Sequence, residues 1–207
     1  MLIDHVGFLL FPEYVFLRII GRVSFPIFAF LIAEGFLKTQ NIKSYLKRLF
    51  VFGLISQIPY LIFDRLAGVT DFNLNIMFSL TLGVIALLAL TKIKNIPLKI
   101  LSLIAILGVA YFGKFSYGIY GILTVIASFI FLKRKSVGLA ALSVLPFLET
   151  ARLFFMKIFF LQFFAIFSLI PIYFYNGERG RQISRWWFYW FYPVHMLVLS
   201  AIFIMFK

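Results

Sequence analysis

Cysteine is absent from the 207-residue chain, and histidine occurs only twice. The first absence excludes disulfides, thiolate metal sites and a cysteine acyl-enzyme. The second leaves no His-rich metal site. Charge is also scarce. Only 13% of residues are Asp, Glu, Lys or Arg, against about a quarter in an ordinary soluble domain. There is no glycine-rich phosphate loop, no Gly-x-Ser-x-Gly elbow, no His-Glu-x-x-His zinc motif, no internal repeat and no low-complexity run. What is present is apolar surface, 63% of the residues, including 29 phenylalanines. A soluble globule cannot hide that much, so the sequence predicts one integral-membrane domain over 1–207. The net charge of +13 then reads as the positive-inside bias of cytoplasmic loops, not as a nucleic-acid surface.

Breaking the chain at polar clusters gives nine apolar segments, near 1–12, 21–38, 45–63, 74–91, 97–113, 117–132, 137–153, 157–175 and 188–206. The expected fold is an all-α bundle of about nine transmembrane helices. With the N-terminus cytoplasmic, the inside loops hold Lys38, Lys43, Lys47 and Arg48, then Lys92, Lys94 and Lys99, then Lys133, Arg134 and Lys135, and finally Arg179, Arg181 and Arg185. Every alternate loop is the more basic one, as that topology requires. The first segment is short: Met1 to Phe11 would cover only about 16 Å of helix at 1.5 Å per residue. The expectation is a natural start upstream of Met1, or a trimmed first helix.

Ionisable groups inside spans are expensive and mark polar interiors. Asp4-His5 joins a general base that works near neutral pH to a carboxylate that can orient it; the plainer reading is a histidine wetted at the interface. Arg18 and Arg22 share a helix face and can take an anion or pair with Asp4 or Glu34, or Arg18 can snorkel to headgroups. Glu34 can serve a site or simply pair with Lys38 one turn on. Arg48, Lys47 and Lys43 suit an anionic cytosolic ligand, with topology as their default role. Gln57, in mid-span, needs an interhelical partner or cavity water. Asn73 and Asn75 read as helix caps. Tyr192-Pro193-Val194-His195 places a second histidine two turns into the last helix, where Pro193 frees a backbone carbonyl.

Several of these residues fall in a pattern. Ile3-Asp4-His5-Val6-Gly7, Leu17 to Arg22, Ser24 to Phe30, Glu34-Gly35-Phe36 with Thr39, Tyr45 to Leu49, Ser56 to Tyr60, Asn75 to Phe78, and Tyr192-Pro193-x-His195 resemble the TraX family. The likeness runs over the first ~80 and last ~20 residues, and about 92–180 carries no motif of it. TraX proteins are known as pilin N-terminal acetylases and are similar to the wider superfamily of multi-pass membrane acyltransferases.

The resemblance implies a bacterial inner-membrane enzyme. It would move acetyl from cytosolic acetyl-CoA, without a metal, to an amine or hydroxyl of a pilin-like peptide, a glycan or a lipid-linked acceptor. His5 matches the essential first-helix histidine of the superfamily and would act as base, oriented by Asp4. Arg22 or Gln57 would steady the oxyanion, and Glu34 would orient Arg22 or bind acceptor. Arg48, Lys47 and Lys43 would hold the donor's phosphates, with Tyr192 and His195 as a possible second group. Two other classes stay open: a small transporter using the same charges, although no inverted repeat is seen, and a non-catalytic assembly partner.

Overall fold

A long apolar run can satisfy its own backbone away from water only as a helix or a closed barrel. The computed structural model describes residues 1–154, 160–178 and 184–206, and among these the chain is helical with no strand. Its elements are α1 (Leu2–Leu9), α2 (Val15–Arg22), α3 (Ser24–Lys38), α4 (Ile42–Leu66), α5 (Ile76–Lys92), α6 (Ile96–Phe112), α7 (Gly118–Lys133) and α8 (Lys135–Phe154). After these come α9 (Phe160–Phe163), a 3₁₀ turn Phe164–Ser168, α10 (Leu169–Tyr173) and α11 (Arg185–Phe206). Asparagines set three of the starts, where a side-chain oxygen takes an otherwise unbonded N–H of the first turn. Asn41 accepts from Ser44 N at 2.9 Å, Asn75 from Met77 N at 3.0 Å and Asn95 from Leu98 N at 2.9 Å. Between α6 and α7 the chain turns at Lys114, whose φ is 52°. Leu74 N donates to Lys114 O there, tying the two connecting loops together at 2.9 Å.

The helices follow the expected segments, with two differences. Residues 15–20, which precede the expected second segment 21–38, are helical and run with α3 as one apolar stretch, Val15–Lys38. Arg18 and Arg22 share a helix face as expected, and Asp4 pairs with both. The segment near 157–175 is broken into α9, the 3₁₀ turn and α10. Arg179 and Arg181 of the last expected inside loop lie outside the described residues, as do Lys157 and Lys207.

Among the described residues α7 is the hub, packing on α3, α5, α6 and α8. At its centre Val84, Leu87, Ile122 and Val125 are fully buried. α4 packs along α11, and α1 lies between α2 and α11. Glycines allow the α1–α2 approach. A Cβ on Gly21 would lie 2.1 Å from Asp4 Cβ, and one on Gly7 would lie 2.6 Å from Leu17 Cβ. The outside of the bundle is apolar: Ile96, Leu101, Ile104 and Phe112 on α6 are each more than 55% exposed. Three stretches, Val15–Lys38, Ile42–Leu66 and Trp186–Phe206, are long and apolar enough to cross a membrane.

Candidate functional site

α1 is eight residues long, about 12 Å at 1.5 Å per residue, and it carries Asp4 and His5 in successive positions. Neighbouring residues on a helix point about 100° apart and do not face each other. The two side chains accordingly take different partners. Asp4 turns to α2, where Arg18 Nε and Arg22 Nη2 approach its carboxylate at 3.3 and 3.4 Å. His5 turns to α11, where its Nδ1 meets His195 Nε2 at 2.7 Å and the two rings stack. The group that meets the His5 ring is therefore His195, not Asp4 as expected. Phe63 closes the other side of His5, edge-on with centroids 5.1 Å apart.

The protons of the pair follow from its partners. His195 Nδ1 lies 2.6 Å from the Phe191 carbonyl. A carbonyl only accepts, so in the neutral pair His195 Nδ1 carries the hydrogen and its Nε2 a lone pair. His5 Nδ1 must then donate to that lone pair, which leaves His5 Nε2 as the free basic nitrogen. His195 is 6% exposed and its ring is held by Phe191, stacked at 4.7 Å.

His5 lines a chamber of about 250 Å³ with Asp4, Arg18, Arg22 and Tyr192. A second chamber, of about 700 Å³, opens between α3, α4 and α11 toward the end that carries Lys38 and Arg48. Phe28, Ile76 and Tyr192 belong to the walls of both chambers, so the two lie side by side there. Tyr192 is 3% exposed. In the second chamber Arg48 lies over the Tyr45 ring, 5.9 Å from its centroid, and its Nε is buried with no hydrogen-bond partner. Beside it Glu34 holds Lys38 Nζ at 2.7 Å and accepts from the Tyr175 hydroxyl. Burial and that carboxylate push the Tyr175 hydroxyl above its ordinary range, so it stays protonated and donates at neutral pH.

Other expected site residues fall elsewhere. Glu34 does not orient Arg22: it lies twelve residues further along the α2–α3 stretch, about 18 Å at 1.5 Å per residue, and faces the other chamber. Gln57 lines neither chamber. Its amide donates to Asn73 O at 2.8 Å and its oxygen accepts from Asn75 N and Nδ2 at 3.1 and 2.9 Å. Asn75 Nδ2 also reaches Gly53 O at 2.7 Å. Gln57 thus ties α4 to the start of α5, with one amide hydrogen and both oxygen lone pairs engaged, and it is not placed to meet an oxyanion in either chamber. Lys43 and Lys47 are exposed and line neither chamber, whereas Arg48, on a different face of α4, does.

The first chamber also holds residues that the sequence did not single out: Asp64, Tyr117, Tyr120, Glu149 and Gln162. Glu149, an acid within an apolar segment, was open to the same argument as Glu34. It takes Arg152 through two bonds of 2.5 and 2.8 Å. Tyr117, Tyr120 and Gln162 carried no signal, since aromatic and amide residues in apolar helices are ordinarily packing.

A family model described as TraX protein matches residues 1–203. The chain is 31% identical over 222 residues to a probable fimbrial assembly protein FimC, serogroup H1, of Dichelobacter nodosus, covering 97% of this chain and 90% of that one. It is 35% identical over 83 residues to the uncharacterized protein RP591 of Rickettsia prowazekii (strain Madrid E), covering 40% of this chain and 30% of that one. No solved structure matches it.

Proposed function

The chain belongs to the TraX family, and from that premise we propose that it is a multi-pass acetyltransferase of the bacterial inner membrane, with its N-terminus in the cytoplasm. The observation that carries this reading is the pair of adjoining chambers that share Phe28, Ile76 and Tyr192 as wall residues, one lined by His5 and the other by Arg48, whose buried Nε has no hydrogen-bond partner. The apolar outer surface and the basic residues gathered at the Lys38–Arg48 end support the membrane embedding and its orientation.

The donor, acetyl-CoA, brings the activated thioester. The second chamber fits such a molecule: it has the volume of a small-molecule pocket and a buried guanidinium Nε without an acceptor, which suits a phosphate oxygen. Arg48 would hold that end, with Lys38 at the mouth. His5 Nε2 would then take the proton from the acceptor's amine or hydroxyl as it attacks the carbonyl carbon. Arg22 Nε, buried and unpartnered in the first chamber, would donate to the carbonyl oxygen as negative charge builds there. As the carbon–sulfur bond breaks, His5 would return the proton to the departing thiolate. The fimbrial assembly name of the relative from Dichelobacter nodosus supports an acceptor in the pilus or fimbrial pathway.

Acetyl-CoA binding by the detergent-solubilised protein tests the donor assignment. The wild type and His5→Ala are expected to bind, and Arg48→Ala to bind at least tenfold more weakly. No binding by folded wild-type protein would remove the donor from this reading. The same relative's name also favours a non-catalytic assembly role, under which His5→Ala would complement a null strain fully.

A further inference from the structure

On the acetyltransferase reading the donor fills the second chamber and the base stands in the first. The reacting carbonyl then belongs at the wall they share. Met1, Phe28, Ile76 and Tyr192 line both chambers. Of these side chains only that of Tyr192 can donate a hydrogen bond. Tyr192 is 3% exposed, and a phenol so deep in an apolar bundle ordinarily has a partner for its hydroxyl. The partner here is the Ile76 N–H, which donates to the phenolic oxygen.

That bond decides what the hydroxyl can still do. A phenol both accepts and donates. With the Ile76 N–H on its oxygen, Tyr192 keeps a hydrogen for which no side chain among the described residues supplies an acceptor. Ile76 opens α5, and Asn75 caps that helix through the Met77 amide. First-turn amides of a helix lack partners within it, so Tyr192 satisfies the start of α5 while its O–H stays available. A hydroxyl whose oxygen accepts a bond also donates more strongly, because bonds in a chain polarise one another.

The order of residues along α11 matches the order the chemistry needs. Phe188 and Tyr189, one turn before Tyr192, line the second chamber and not the first. His195, three residues after Tyr192, lies on the same face and about 4.5 Å further along the axis at 1.5 Å per residue. It holds the base, His5. Donor wall, phenol and base thus follow one another along one side of α11.

We propose that Tyr192 is a catalytic residue whose hydroxyl donates to the carbonyl oxygen of the thioester and completes, with Arg22, the oxyanion site. This role rests on the acetyltransferase reading, but the contact itself can be measured without turnover. As the acceptor's lone pair bonds to the carbonyl carbon, the C=O π pair moves onto the oxygen and the Tyr192 bond tightens. Tyr192 keeps its hydrogen throughout. When that pair re-forms the C=O bond, the carbon–sulfur bond breaks and its electron pair leaves on sulfur. The thiolate then takes the proton that His5 has carried from the acceptor. A donor aimed at this oxygen is strongest in the transition state, so it raises the rate without tightening donor binding.

The test uses the full chain in detergent. The probe is an acetyl-CoA analogue in which CH₂ replaces the thioester sulfur, a ketone that cannot be transferred, carrying a carbon-13 carbonyl read by infrared difference spectroscopy. Tyr192→Phe removes the donor, and the bound carbonyl band should move to higher frequency than in the wild type. That variant also removes the acceptor for Ile76 N–H, so its fold can suffer. Replacement of Tyr192 by 3-fluorotyrosine keeps both bonds and strengthens the donor, and should move the band below that of the wild type. Transfer of radiolabelled acetyl from acetyl-CoA to an envelope fraction of the producing strain should fall about 10²–10³-fold in Tyr192→Phe, with acetyl-CoA affinity unchanged. The same band in all three proteins would overturn the role of Tyr192, and transfer undiminished in Tyr192→Phe would do so while leaving the enzyme standing. Band shifts as expected, with no transfer by the wild type, would keep the contact and remove the enzyme. Failure of folded wild-type protein to bind the analogue would overturn both.

Discussion

A histidine offers two ring nitrogens, and the hydrogen bond at one decides what the other can do. Here the chain of bonds runs from the Phe191 carbonyl through His195 to His5 and ends at a nitrogen carrying a lone pair. On the acetyltransferase reading His195 is a positioning residue, because it acts only through His5. His195→Leu removes the acceptor for His5 Nδ1–H and frees the ring to rotate or change tautomer. His195→Gln keeps an oxygen that can accept that hydrogen. Expected is a loss of acetyl transfer of roughly 10²-fold or more for the leucine variant, in line with the contribution of a placed base, and a partial rescue by glutamine. Acetyl-CoA affinity should be unchanged in both. Equal loss in both variants would mean that packing, not tautomer control, is what His195 supplies. Steady-state rates and donor binding, measured side by side, read the difference.

At the scale of elements, the site depends on how closely α1 approaches α2. Asp4 sits against Gly21, and this contact lets its carboxylate meet Arg18 and Arg22 while His5 turns toward α11. Gly21→Ala puts a methyl group 2.1 Å from Asp4 Cβ, so α1 must move away. Overpacking of this kind costs typically about 1–3 kcal/mol, and the displacement also separates His5 from His195. Thermal unfolding in detergent should show a clearly lowered midpoint for Gly21→Ala, together with lost transfer. Gly108 on α6 is the control: a Cβ there meets nothing within 4 Å. Gly108→Ala should be neutral or slightly stabilising, since alanine favours the helix over glycine. Equal effects at the two positions would argue against the close α1–α2 packing.

At the scale of the molecule, the two chambers give the bundle two ends with different chemistry. The cytoplasmic assignment of the Lys38–Arg48 end is open to direct measurement, because the chain has no cysteine and single-cysteine variants carry no background. A membrane-impermeant maleimide added to intact spheroplasts should label Phe112→Cys and leave Lys94→Cys unlabelled until the membrane is opened. Both positions are exposed and lie at opposite ends of α6. The reverse pattern would invert the topology and place the donor chamber on the wrong side for a cytosolic thioester.

The sequence by itself determined the helical elements and the short list of ionisable groups. Both are local properties: apolar runs fix where the helices lie, and charges in such runs are too expensive to be incidental. It also held the likeness carried by Asp4-His5, Arg22, Glu34 and Tyr192 to His195. Which groups meet was decided only by the tertiary structure. Asp4 and His5 are adjacent in the chain but point to different helices, and His5 finds its partner 190 positions away. Gln57, polar in mid-span, called for a partner, and the structure supplies Asn73 and Asn75 at the start of α5. Tyr120 and Gln162 carried no signal and meet each other in a chamber wall. Partnership depends on the direction of a side chain and on what another helix brings opposite it, and neither is encoded in the spacing of residues along one segment.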